Sequence, residues 1–236
     1  MADKTSLPQI LLIGATGRTG RLVLEEALYR GHLVTILIRK ADDTLPQHNN
    51  LTISIGDPCV ETDVEKALQA TKPSVPVTII STLGQTRKSG NPWAATTSPR
   101  RFMEASAKAV LAASQSPSVR GMVKVEKLIL MSMFGAGDSF DQLNFLMRWT
   151  MNHSNMDVAI EDQNLVDAAV KAGPLPFVLV RPAMLKNGEA LPVKVHGNNG
   201  EGAGFMPSIT VKSVVTFLLD AAVKSEFDGT TPMISN

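Results

Sequence analysis

The chain has 236 residues, with 23 Lys+Arg against 22 Asp+Glu, a formal net charge of +1, and 44% hydrophobic against 19% charged residues. That is a globular composition with room for a large core, and near-neutral charge without a basic run excludes the electrostatic footprint of a nucleic-acid partner. No apolar stretch nears the roughly 20 residues of a bilayer span, Met1–Ser6 lacks the apolar core of a secretory leader, and the lone Cys59 cannot close an internal disulfide, so a cytoplasmic protein without a membrane partner is expected.

Ile10–Ile13 is a continuous apolar run, as a parallel strand covered on both faces requires. Gly14-Ala15-Thr16-Gly17-Arg18-Thr19-Gly20 follows, then a helix to Arg30 that Gly31 stops. Strands are expected at Leu33–Ile38 and Leu51–Ile55, the latter ending in Gly56-Asp57-Pro58. Thr62 and Glu65 have the spacing of a capping box, which predicts a helix over Asp63–Ala70. After the strand Val77–Ile80, Ser98-Pro99 should open a helix with proline in its first turn and Phe102, Ala105, Ala109 and Ala112 on one face. Lys127–Met131 is the fifth strand; helical pattern covers Phe140–Thr150 and Ala159–Ala172. Phe177–Val180 is the sixth strand, and residues 186–207 read as a long loop of the kind that binds ligands. A helix over Val211–Ala222 and a short strand over Pro232–Ser235 close the chain. Strands alternating with helices, none joined by a tight hairpin, imply an α/β Rossmann-type doubly wound sheet, mostly parallel, with helices on both faces. No composition shift marks a boundary, so residues 1–236 read as one domain, with 183–236 as a small substrate-binding portion.

The glycine turn carries the strongest chemical signal because it follows a strand and opens a helix. Gly14 permits the tight turn, Gly17 lets backbone approach a pyrophosphate, and Gly20 lets helix and strand pack closely, while the N–H groups around Thr16, Arg18 and Thr19 face the phosphate. An ordinary strand-to-helix connection is the plain alternative. Folds that bind NAD usually carry an acid about 20 residues further on, for the ribose 2′-hydroxyl. Here Arg39 and Lys40 stand there instead. A guanidinium grips a 2′-phosphate that a carboxylate would repel, so the pattern favours NADP(H), with Arg18 as a further positive charge. Asp57 either faces the adenine edge or starts a turn.

The turn, Ile38-Arg39, Gly56-Asp57 and Val180-Arg181-Pro182 together resemble the atypical short-chain dehydrogenase/reductases, in particular the NmrA-like and biliverdin-reductase-B-like NAD(P)-binding proteins, and share the look of fungal averufin-oxidase-type members. The resemblance implies a cofactor site that includes Leu83 and Gly84 after the fourth strand, Ser132 after the fifth, and Arg181 and Pro182 after the sixth. Ser132 matches a serine that biliverdin-reductase-B-like proteins carry; capping a strand end is its plain alternative. Phe134 and Met184 either wall an apolar pocket or belong to the core.

Short-chain dehydrogenases commonly use a Tyr-x-x-x-Lys pair as acid. The chain's single tyrosine, Tyr29, lies in the first helix and has leucine four residues on. Tyrosine acid catalysis is ruled out. Where that pair would stand the chain reads Asp157 to Gln163, which makes Asp162 a candidate proton donor, although acids there also complement a helix dipole. His153, an imidazole in a polar stretch, is a further acid/base candidate, and Arg87 and Lys88 suit an anionic substrate. His32, His48, His153 and His196 lie apart, without acids at ligand spacing, so no metal is expected.

These readings point to an NADPH-dependent reductase of an apolar, conjugated or quinoid small molecule, as in aromatic polyketide metabolism. A delocalised acceptor takes hydride without a strong acid beside it. Two alternatives keep the cofactor: a redox-neutral isomerase or cyclase, and a sensor that reports NADP to a partner.

Overall fold

Every residue of the first strand is sealed from water, and Ile10, Leu11, Leu12 and Ile13 are 0% exposed. Each such side chain is worth about 1.5–3 kcal/mol of burial. Side chains alternate across a strand, so this one needs cover on both faces. It receives it. In the computed structural model, which describes residues 7–236, Ile10 and Leu12 join one apolar layer while Leu11 and Ile13 join another. Met1–Ser6, read above for a leader, lies outside the described residues.

In chain order the elements are β1 (Gln9–Ile13), α1 (Arg18–Tyr29), β2 (Val34–Ile38), β3 (Leu51–Ile55), α2 (Glu61–Gln69), β4 (Val77–Ser81), α3 (Phe102–Gln115), α4 (Pro117–Arg120), β5 (Val125–Met131), α5 (Phe145–Asn152), α6 (Met156–Lys171), β6 (Phe177–Pro182), β7 (Met184–Lys186), β8 (Lys194–Val195), β9 (Ser208–Thr210), α7 (Val211–Val223) and β10 (Met233–Ser235). The main sheet runs β3-β2-β1-β4-β5-β6-β10-β8, parallel throughout except for β8 against β10, and β7 pairs with β9 separately. Helices α1 and α7 cover one face; α2, α3 and α6 cover the other. Strand order reverses between β1 and β4, which opens a crevice at their carboxyl ends. The doubly wound α/β expectation holds.

Local boundaries depart from it where tertiary partners win. No capping box forms: α2 starts at Glu61, behind Val60, because Asp63 Oδ2 turns back to accept the Asp57 N–H at 3.0 Å. Helix α3 starts at Phe102 rather than Pro99, since Arg101 is left-handed (φ 57°) and breaks the chain there. Its buried face is Met103, Ala107, Val110 and Ala113, with Ala105 and Ala112 turned to solvent. Lying between α2 and α6, α3 has a wide contact face that its alanines alone do not mark. The expected helix over Phe140–Thr150 divides into a 3-10 turn at Gly137–Gln142 and α5, which Asn144 caps by accepting the Met147 N–H at 3.0 Å. Helix α6 begins at Met156, three residues before the expected Ala159. Within the long 186–207 loop, β8 adds a short antiparallel edge.

Candidate functional site

The glycine turn is built by close contact. Gly14 takes φ 91°, and a Cβ on Gly20 would lie 2.0 Å from the Gly14 carbonyl oxygen, which no side chain survives. Gly17 N–H donates to Gly14 O at 3.0 Å, closing the turn, and Gly17 ends it as the N-cap of α1 without a side-chain cap. The first N–H groups of α1, at Arg18, Thr19 and Gly20, therefore point into the crevice, and no acid occupies that first turn. Such a start has a positive field suited to an anion. Thr82, which the sequence reading missed, ties β4 to this turn: its hydroxyl lies 3.3 Å from both the Ile13 and the Gly14 carbonyl oxygens. Leu83 N comes next to Gly14, and Gly84 is exposed beyond it.

At the end of β2, Arg39 and Lys40 are exposed, as is Arg18. Among the described residues none of the three pairs with a carboxylate, whereas neighbouring Arg21 is bound to Asp42 at 2.7 Å. Asp57 spends Oδ1 on the Cys59 N–H at 2.9 Å, which is the turn-forming alternative. Burial, with the Asp57 carboxylate beside it, pushes the Cys59 thiol up to about 11.

Ser132 N–H bonds Val180 O at 2.7 Å and extends the ladder beyond β5. Its hydroxyl makes no hydrogen bond to a described residue. Pro182 is buried, and its carbonyl accepts the Phe134 N–H at 3.2 Å. Phe134 belongs to the core, while Met184 is 56% exposed. Tyr29 ends α1 fully on the surface.

Two candidates are corrected. Asp162 is 1% exposed, and its carboxylate accepts the Met103 and Glu104 N–H groups at 3.0 and 2.8 Å and Gln85 Nε2 at 2.9 Å. It caps α3 from outside, in place of the left-handed Arg101, and both of its carboxylate oxygens are taken up as acceptors there. Arg181 is 0% exposed and faces the protein interior: it bonds Asp138, Asn198 O at 2.7 Å and Asp167 at 3.2 Å. It clamps β6 to α6 and the 3-10 turn, with both terminal nitrogens engaged and only the buried Nε without a partner, so its guanidinium does not reach the crevice.

His153 stands in a separate place. Residues 84–98 leave β4 as an excursion held by Thr97 N–H to Thr86 O at 2.8 Å and an isolated bridge between Arg87 and Thr96. Its tip is pinned to the α5–α6 junction: Trp93 Nε1 donates to His153 O at 2.8 Å, and Asn155 Nδ2 donates to Trp93 O at 2.9 Å. The His153 ring stacks on Trp149 at 5.2 Å, and Trp149 meets Trp93 at 6.3 Å. Phe145, Leu146 and Trp149 share the outer face of α5, and Asn144 reaches the Phe205 carbonyl. The result is an exposed apolar roof that sequence periodicity did not disclose. Arg87, within the excursion, is half-buried with Nε unpartnered.

A glycine turn that excludes a Cβ at Gly14 and Gly20, an uncapped helix start and unpaired cations at the next strand define a dinucleotide-binding Rossmann protein, and the residues present fit that ligand. The chain belongs to the NAD(P)H-binding family, whose model matches residues 14–225. No curated protein matches it in sequence. Among solved structures it is similar to ChuY of Escherichia coli O157:H7, described as an anaerobilin reductase (20% identity, TM-score 0.72, 96% of each chain). A short-chain dehydrogenase/reductase of Veillonella parvula in complex with NADP is similar at 15% identity and TM-score 0.71, over 97% of this chain and 94% of that one. So is a putative epimerase of Bacteroides thetaiotaomicron (15%, 0.72, 98% and 97%). Among the described residues no helix is long and apolar enough to cross a membrane.

Proposed function

We propose that the protein is an NADPH-dependent reductase of a conjugated or quinoid small molecule. The observation that carries the reading is the make-up of the strand-end crevice. It offers a free Ser132 hydroxyl but no tyrosine, and the candidate acid, Asp162, is consumed as a helix cap. When bound, the nicotinamide supplies hydride. Arg39 and Lys40 grip the 2′-phosphate, the start of α1 holds the pyrophosphate, and Gly14 and Gly17 let it approach. Ser132 holds the acceptor oxygen by a hydrogen bond. Lacking an acid, the site suits an acceptor that spreads the incoming charge and takes its proton from solvent. Residues 183–236 form the substrate-binding portion, and the roof of Trp93, Phe145, Trp149 and Phe205 suits a flat apolar molecule. The NADP-bound and reductase relatives support the same reading.

Calorimetric titration with NADPH and NADH tests the cofactor. NADPH should bind about 10- to 100-fold more tightly, and Arg39→Asp should abolish that preference. Consumption of NADPH with quinones and linear tetrapyrroles as acceptors tests the reaction. Product of unchanged mass, formed without NADPH loss, would overturn the reductase in favour of a redox-neutral catalyst.

A further inference from the structure

A second polar feature lies one strand from the glycine turn. Ser81, the last residue of β4, is in register with Ile13 on one side and Leu130 on the other. Ile13, Ile79 and Leu130 all face the α2/α3/α6 layer, and by strand alternation Ser81 faces it too. So does Ser132, two residues beyond Leu130. A small cavity opens there between the ends of β4 and β5 and the helices α3 and α6, lined by Ser81, Leu83, Met103, Met131 and Gln163. It admits about one water-sized polar group.

The chemistry of this cavity is unpaired. Gln163 is 6% exposed, and its amide nitrogen has only the Met103 sulfur, at 3.3 Å, for company. Its carbonyl oxygen, like the hydroxyl of Ser81 (8% exposed), makes no hydrogen bond to any described residue. Neither atom is sealed from solvent, so each is open to a partner that enters from the crevice. An amide and a hydroxyl facing one small space are matched to a neutral group that both donates and accepts.

Placement says which group. Strand β2, with Arg39, lies on one side of β1; β4 and β5 lie on the other. A dinucleotide with its pyrophosphate on α1 and its 2′-phosphate at Arg39 must carry its second nucleoside towards β4 and β5. We propose that Gln163 and Ser81 hold the nicotinamide nucleoside, through its carboxamide or its ribose hydroxyls, and so set the ring beside Ser132. They act as positioning residues. The inference rests on the NADPH site proposed above.

The test is binding alone. Affinities of the wild type, Gln163→Met and Ser81→Ala are measured for NADP and for 2′,5′-ADP, which has the adenosine-phosphate end but no nicotinamide nucleoside. Each substitution should weaken NADP roughly three- to tenfold and leave 2′,5′-ADP unchanged. Equal weakening of both ligands would mean a structural role, and no weakening of either would mean no contact; both overturn the proposal while leaving the NADPH site intact. A wild type that binds neither ligand overturns the site and the inference together. The 3-acetylpyridine analogue of NADP, in which methyl replaces the amide nitrogen, separates the two groups. If Gln163→Met erases the wild-type preference for NADP over the analogue, the carboxamide is held. If it weakens both by the same factor, the ribose is.

Discussion

The two sides of the switch point are built by different rules. From β1 towards β2 the site is made of a local run of backbone, a turn and an uncapped helix start, with two cations that follow a strand directly. From β1 towards β4, β5 and α6 it is made of side chains drawn from far apart, with Gln163 some eighty residues after Ser81. On the proposed reading the first side recognises charge, which acts at a distance and tolerates loose placement. The second recognises shape and hydrogen bonds, which do not.

Substitutions can break that contrast at several strengths. Gly20→Ala should have the largest effect, because its Cβ would sit 2.0 Å from backbone oxygen that cannot move without opening the turn. Little folded protein should remain in a circular dichroism melt. By contrast Gly31→Ala, at φ 87° with open space around it, should cost only about 1–2 kcal/mol. Next comes Arg181→Leu, which leaves Asp167 buried. Chemical denaturation should show a loss of about 3 kcal/mol, near the low end for a broken buried pair because Lys171 still reaches Asp167 at 2.7 Å. Its preference for NADPH over NADH should survive, since Arg181 touches no part of the crevice.

Asp162→Asn sharpens the comparison further. As a cap, Asp162 should cost about 1–2 kcal/mol when replaced, seen as a lower melting temperature with turnover per folded molecule retained. Turnover lost at an unchanged melting temperature would restore it as a proton donor. The smallest effect is chemical. With its thiol pushed up to about 11 from 9.0, Cys59 should react with iodoacetamide at pH 8 roughly a hundredfold more slowly than an unperturbed thiol.

The sheet was legible in the sequence because its central strands are built around apolar runs, such as Ile10–Ile13 and Phe177–Val180. Leu11 and Val178 announce themselves without any partner. The glycine turn was legible for a related reason: the constraints on Gly14 and Gly20 are local, involving residues six apart. Arg181 was not, since a motif that places an arginine at a strand end says nothing about which face it takes, and alternation sent it inward to Asp167. Asp162 misled in the same way. Its position on α6 was right for an acid, but the left-handed Arg101 had left α3 without a cap, and that need was invisible from either segment alone. Gln163 and Ser81 were unreadable because glutamine and serine carry no pattern until a fold brings them to one cavity.

The pinned roof has an optical consequence. The chain's two tryptophans, Trp93 and Trp149, both lie in it, 6.3 Å apart, and neither is in the core. Indole emission from this protein therefore reports one place only. A molecule that stacks on the roof should change its colour and intensity, whereas 2′,5′-ADP, bound at the proposed adenosine end alone, should leave the spectrum as it was. The protein carries its own lamp, fixed at the junction of α5 and α6.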